Sequence, residues 1–164
     1  MTLLPKLTAS KNASVLMRTL SSTKKIELIN SIADHVAKYA QEIIEINQVE
    51  CVAAKTKGLT DSEVDRLSLD QSRIDAMVDA ARNVALLPDY VGEVLESFTG
   101  AKDIQIQKVR VPLGVVAVIY ENRPNVTLDA ACIALKSSNA VILRGSSTAF
   151  KTNTKIIEAI KEGI

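Results

Sequence analysis

The apolar positions of this chain fall into two halves with different periods. From Lys24 to about Val49, the positions Ile26, Ile29, Ile32, Ala33, Val36, Ala40, Ile43, Ile44 and Ile46 keep the spacing of one helix face. Upstream, Val15, Leu16 and Leu20 predict only a short helix, punctuated by Ser21-Ser22-Thr23, where Ser22 or Thr23 can cap the next one. After a bend, helical pattern continues from Glu50 to Lys57, and Gly58 terminates it. Thr60-Asp61 opens a further short helix. Asp70 or Ser72 can cap another, running through Ile74, Met77, Val78, Ala81, Val84 and Ala85 until Pro88 stops it.

Beyond Val91 the period shortens. Val94 to Phe98 and Ile104 to Val111 read as a hairpin around Thr99-Gly100-Ala101-Lys102-Asp103. Ile104 and Ile106 share one face but Val109 and Val111 the other, which predicts a bulge near Gln107-Lys108. Val115 to Tyr120 and Ala140 to Leu143 are short apolar, β-branched runs that read as buried strands. Between them Leu128, Ala131, Cys132 and Leu135 mark a helix from about Thr127, stopped by Ser137-Ser138-Asn139, and a last helical pattern opens near Thr148. Strand, helix, strand, helix is the parallel βαβ arrangement, whose crossover is almost always right-handed. The expected fold class is therefore α/β: N-terminal helices (1–90) packed on a Rossmann-like parallel βαβα unit (112–164), with a β-hairpin (91–111) between them and a sheet truncated at two strands.

Composition narrows the function classes. The chain has 164 residues, enough for one ordinary domain, and is 47% hydrophobic and 24% charged. Its net charge of +1 gives no electrostatic case for nucleic acid or a membrane surface, and 3% aromatics with no Trp weakens base stacking. No apolar run approaches the ~20 residues of a membrane span. Met1 to Leu20 lacks a signal-peptide pattern, so a cytoplasmic setting is expected. Cys51 and Cys132 lie in different helical patterns with no metal-ligand spacing, and no metal is expected. Both fall on apolar faces, where free cysteine behaves as a small hydrophobe, and the single His35 lies on a mostly polar flank. Neither cysteine is read as a nucleophile.

The chemistry concentrates in two polar knots, Glu121-Asn122-Arg123-Pro124-Asn125 and Arg144-Gly145-Ser146-Ser147-Thr148. Each follows a strand, and α/β folds bind ligands at the carboxyl ends of their strands. Each also precedes a helix, where free N–H groups and the helix dipole favour anions. Asn125 after Pro124 suits a helix N-cap. Arg123 can meet an anionic ligand or pair with Glu121 or Asp129, and Asp129 suits the early turns of its helix. Gly145 allows close backbone approach, and Ser146 and Ser147 can hydrogen-bond phosphate or ribose. The dinucleotide glycine fingerprint is absent.

The stretch VRVPLGVVAVIYENRPNVTLDAACIALKSSNAVILRGSS resembles the gamma-glutamyl phosphate reductases, also called glutamate-5-semialdehyde dehydrogenases, of the aldehyde dehydrogenase superfamily. The likeness continues upstream through Gly58-Leu59-Thr60, Asp65-Arg66-Leu67, Leu87-Pro88-Asp89 and Val91-Gly92-Glu93-Val94. It implies an oxidoreductase of proline biosynthesis, in which NADPH reduces L-glutamyl 5-phosphate to glutamate 5-semialdehyde with release of phosphate. It also implies that residues 1–164 are the N-terminal part of the cofactor-binding domain. The nucleophilic cysteine would lie in a second domain downstream, outside this chain, so that the chain alone is inactive. Asn125 stands where the superfamily carries an asparagine facing the substrate carbonyl oxygen. Such a preorganised amide stabilises a developing oxyanion by about 3 kcal/mol. Arg144 stands where many relatives place a lysine near the adenosine ribose, and a guanidinium there can grip a 2′-phosphate bidentately, which implies NADP(H). Arg123 could meet the acyl phosphate or carboxylate. The resemblance implies that the hairpin is an arm used in oligomer contacts between identical chains, the alternative being an edge hairpin in the same sheet, and it allows a glutamate kinase as a partner. The family's Gly-Gly-Ser-Glu-Ala reads here Gly145-Ser146-Ser147-Thr148-Ala149, and Phe150-Lys151 replaces a His-Ser pair. These departures leave an alternative: a non-catalytic truncated paralogue that binds nucleotide or a partner protein.

Overall fold

The computed structural model describes residues 3–164. Five helices come first: α1 (Leu3–Met17), α2 (Ser22–Lys38), α3 (Ala40–Thr56), α4 (Asp61–Leu67) and α5 (Gln71–Leu86). An antiparallel hairpin follows, β1 (Val94–Thr99) and β2 (Gln105–Val109). The chain ends in β3 (Val115–Ile119), α6 (Asn125–Lys136), β4 (Ala140–Arg144) and α7 (Phe150–Glu162), with β3 and β4 parallel. The α/β class and the strand–helix–strand–helix order stand as expected.

One core joins the two halves. Ile29, Ile32 and Val36 of α2 meet Ile74, Met77 and Val78 of α5, Leu128, Cys132 and Leu135 of α6, and Ile156 and Ile160 of α7. All are buried, so α2 is the helix on which the others converge. Polar ties fix the packing. Asn47, fully buried on α3, donates its amide to the Leu67 carbonyl (3.0 Å) and accepts the Leu69 N–H (2.6 Å). Lys136 at the end of α6 donates to the Ala85 carbonyl near the end of α5 (2.8 Å), where the backbone has no helical donor left.

Four features depart from the sequence-based expectations. The long helix predicted over 24–49 breaks at Tyr39 (φ −94°, ψ 12°), and no bend falls at Glu50. The apolar period runs through Tyr39 without a phase slip, and no Gly or Pro marks the joint. Ser21, rather than Ser22 or Thr23, caps α2, accepting the Lys24 N–H at 3.1 Å. Helix α1 is far longer than predicted, because its apolar residues do not share one stripe; Leu4, Val15 and Leu16 are all exposed. The hairpin bulge sits on β1 instead of β2: Val94 pairs with Val109 and Glu96 with Lys108, which leaves Leu95 as the extra residue. Every residue of both strands is exposed, so no buried face imposes alternation on β2. The hairpin forms its own two-stranded sheet instead of extending the parallel one.

The parallel strands are less buried than their composition predicts. Along β3, Val115, Ala117 and Ile119 are exposed, Ile119 to 81%. A continuous apolar run implies cover on both faces, whereas this sheet has only two strands and two open edges among the described residues. Gly114 adopts φ 107°, a left-handed turn that enters β3. There Asn139 accepts the Gly114 N–H (2.8 Å) and so ties the starts of β3 and β4 together.

Candidate functional site

The two polar knots lie side by side because β3 and β4 are adjacent and parallel. Ile119 is paired with Arg144, and the Tyr120 N–H donates to the Arg144 carbonyl at 3.1 Å. A chain of side-chain hydrogen bonds braces the junction. Thr127 donates to the Asn153 amide oxygen (3.0 Å), so the Tyr120 hydroxyl must donate to Thr127 (2.6 Å). This chain links the end of β3, the first turn of α6 and the first turn of α7.

Gly145 sits against this brace. A Cβ there would run into the Asn153 amide and lie 3.1 Å from the Tyr120 ring. Any side chain at 145 would therefore have to displace the Asn153 amide, a packing constraint beyond the close ligand approach expected from sequence. Arg144, Gly145, Ser146 and Ser147 all line one groove of about 600 Å³, together with Lys6, Tyr120 and Phe150. Arg144 and Phe150 are exposed, and the Arg144 guanidinium also donates to the Gly145 carbonyl. Ser146 caps a short 3₁₀ turn (Ser147–Ala149) by accepting the Thr148 N–H at 3.0 Å, which leaves its hydroxyl hydrogen free to donate. Lys6 was not legible in the sequence, since its place depends on α1 lying across β4.

The helix N-termini are not open anion sites. At α7, the Glu50 carboxylate accepts the Lys151 N–H (2.8 Å), the Thr152 N–H (3.0 Å) and the Thr152 hydroxyl (2.7 Å). At α6, the Val126 and Thr127 N–H groups donate to the Arg123 and Pro124 carbonyls. An anion at the second knot would therefore rest on side chains, chiefly the cations Arg144 and Lys6.

Asn125 is the first residue of α6, not its cap; Pro124 occupies the cap position and no side chain caps the helix. The Asn125 amide donates one N–H to Asp129 Oδ2 at 3.1 Å, and its second N–H has no acceptor among the described residues. Asn125 and Asp129 line a second groove, of about 260 Å³, with Arg66, Ser68 and Arg73 from α4, α5 and their connection. Burial pushes the Asp129 carboxyl up, against the smaller opposing effect of the Asn125 hydrogen bond. Arg123 is exposed and lines neither groove, and among the described residues it pairs with neither Glu121 nor Asp129. The structure thus gathers Arg144 to Ser147 in one groove, places Asn125 in another, and leaves Arg123 outside both.

Neither cysteine suits a nucleophile. Cys132 is fully buried, and burial, then the Asp129 charge, pushes its thiol up to about 12. Burial and then Glu50 raise the Cys51 thiol as well. No helix among the described residues is long and apolar enough to cross a membrane.

Parallel βαβα units with polar knots at their strand ends serve many enzyme classes, and this chain's sequence places it in one of them. The aldehyde dehydrogenase family model matches residues 6–164, and the chain belongs to that family. Within it, the chain is similar to gamma-glutamyl phosphate reductases. It is 41% identical to that of Kosmotoga olearia over 162 residues, which is 99% of this chain and 39% of the relative. The crystal structure of the Thermotoga maritima gamma-glutamyl phosphate reductase superposes with a TM-score of 0.94 at 39% identity, over 98% of this chain and 39% of that one. That of Saccharomyces cerevisiae gives 0.90 at 29% identity, over 94% and 40%. The chain spans about two fifths of the length of the curated relatives it matches, as the 39% coverage shows.

Proposed function

We propose that residues 1–164 form the cofactor-side part of a cytoplasmic gamma-glutamyl phosphate reductase of proline biosynthesis, acting on L-glutamyl 5-phosphate with NADPH. The observation that carries this reading is the juxtaposition of the two knots at adjoining strand ends, in a chain similar along almost its whole length to such reductases. Two cations and two hydroxyls, Arg144, Lys6, Ser146 and Ser147, converge on one groove, and this donor set suits a phosphorylated ribose. NADPH, when bound, supplies the hydride. The protein's own part is to hold and orient. Arg144 and Lys6 attract the 2′-phosphate, and the exposed ring of Phe150 offers an apolar face beside it. Asn125 aims its free amide N–H at the substrate carbonyl oxygen, while Asp129 fixes the amide's orientation through the other N–H. A preorganised donor of this kind is worth about 3 kcal/mol in the transition state. Arg123, exposed at the same strand end, meets the anionic part of an incoming substrate. The open hairpin carries contacts between copies of the chain.

Cofactor titration tests the first groove. NADPH quenching or fluorescence transfer is expected to report binding that Arg144→Ala weakens about tenfold, with NADH binding little changed. Equal loss for both cofactors, or none, would remove Arg144 from the phosphate site. Tight NADPH binding in a native enzyme that never turns over L-glutamyl 5-phosphate would favour the non-catalytic reading instead.

A further inference from the structure

We propose that the groove between the α4–α5 corner and α6 recognises the amino-acid end of the substrate, with Asp129 taking an α-ammonium and Arg66 an α-carboxylate. The assignment rests on the reductase reading above and adds to it the residues that would make the enzyme specific for an amino acid.

Two opposite charges face this groove, and neither makes an ion pair among the described residues. Asp129 is half-buried, and among the described residues its carboxylate has only the neutral Asn125 amide as a side-chain partner. A half-buried carboxylate without a cation is costly, and the cost is relieved when a cation arrives. Arg66 closes the last turn of α4 and makes no ion pair among the described residues. The neighbouring Arg73 is different. Its guanidinium is held by Asp65 Oδ1 (2.6 Å), the Ser68 carbonyl (2.9 Å) and the Ser68 hydroxyl (2.7 Å). Arg73 therefore braces the corner that carries Arg66, while Arg66 stays available. A cavity with one free anion and one free cation on its walls complements a zwitterion.

Its dimensions agree. The groove, about 260 Å³, is below the ~300–1,000 Å³ of whole-ligand pockets, which suits one end of a molecule. Asn125 and Asp129 lie one helical turn apart, and their side chains meet at 3.1 Å, so one ligand can touch both. In a glutamyl chain three carbon–carbon bonds separate Cα from the reacting carbonyl carbon. A carbonyl oxygen bonded to the Asn125 amide and an α-ammonium bonded to the Asp129 carboxylate can therefore belong to one glutamyl chain.

The test uses the native full-length enzyme in the reverse direction: an aldehyde, inorganic phosphate and NADP give the acyl phosphate, NADPH and a proton. Three aldehydes divide the substrate. Glutamate 5-semialdehyde has both α-groups, 5-oxopentanoate lacks the ammonium, and pentanal lacks both. Asp129→Asn is expected to lower kcat/KM for the semialdehyde about tenfold more than for 5-oxopentanoate, any loss through the orientation of Asn125 being shared by all three aldehydes. Arg66→Gln is expected to lower it for both acids and spare pentanal, whose turnover also reports that the variants are folded. Losses equal across all three aldehydes, or no loss, would overturn the assignment while leaving the reductase reading intact. A wild-type enzyme that oxidises none of them with phosphate would sink the reductase reading, and this assignment with it.

Discussion

Single residues here carry constraints that their type alone does not announce. Gly145 reads from sequence as a loop glycine, yet its missing Cβ makes room for Asn153 and Tyr120. Gly145→Ala should therefore cost about 1–3 kcal/mol by overpacking, measured as a shift in the urea midpoint, and should distort the groove around Arg144. Cys132 is legible as a core cysteine from its place among Leu128, Ala131 and Leu135. With its thiol raised to about 12, it should resist alkylation in the folded chain at pH 8 and react only on unfolding. Modification at the native rate of an exposed thiol would contradict its burial. Asp129 is the residue whose role the sequence hid: an acid in the early turns of α6 is explained by the helix dipole alone. Only the fold shows it half-buried beside Asn125. Because burial raises its folded-state pKa, ionised Asp129 opposes folding, and stability should rise as pH falls through that value. Asp129→Asn is accordingly expected to raise the melting temperature at neutral pH while costing amino-acid discrimination, the sign of a functional group held against stability.

At the scale of elements, the ends of helices decide where ligands can go. Glu50 of α3 fills the N-terminus of α7 with three hydrogen bonds. Glu50→Ala would orphan two backbone N–H groups and leave the buried Thr152 hydroxyl without an acceptor, a loss of about 1–3 kcal/mol by urea unfolding. It would also free an anion site where the native chain has none, so weak sulfate binding should appear in the variant only. The amphipathic elements were legible because their apolar residues share a stripe: α2, α5 and α6 follow the spacing of Ile29, Ile74 and Leu128. What local pattern could not convey was the joint at Tyr39, the length of α1, and the bulge at Leu95. In the first the phase is continuous, in the second there is no stripe, and in the third both faces are wet. The knots at 121–125 and 144–148 were legible from the strand–helix alternation. Their division into two grooves was not, since Lys6, Arg66 and Arg73 come from helices distant in sequence.

The molecule as a whole depends on a long-range ion pair at the rim of its core. Lys25, on α2, is only 1% exposed, and its ammonium lies 2.8 Å from Asp89, just beyond α5. The pair fixes the segment that leads from the helices into the hairpin, and Asp89 also accepts the Val91 N–H at 3.1 Å. Burial by itself would push the Asp89 carboxyl up, but the bonds from Lys25 and Val91 outweigh it and hold the carboxyl below its ordinary range. A carboxyl that ionises more readily in the folded state adds stability above its unfolded pKa. That stability is lost as pH falls through the folded value. Removing the partner at neutral pH leaves a buried ammonium uncompensated, so Asp89→Ala should lose about 3–5 kcal/mol at pH 7. The gap between the wild type and this variant should then close on acidification, because protonating Asp89 breaks the same pair that the mutation removes. Urea unfolding of both proteins from pH 7 down through the carboxylate range measures it directly. A gap that stays constant with pH would mean that Asp89 contributes packing and not charge. A closing gap would show that the charge pair of Lys25 and Asp89, and not packing, carries that stability.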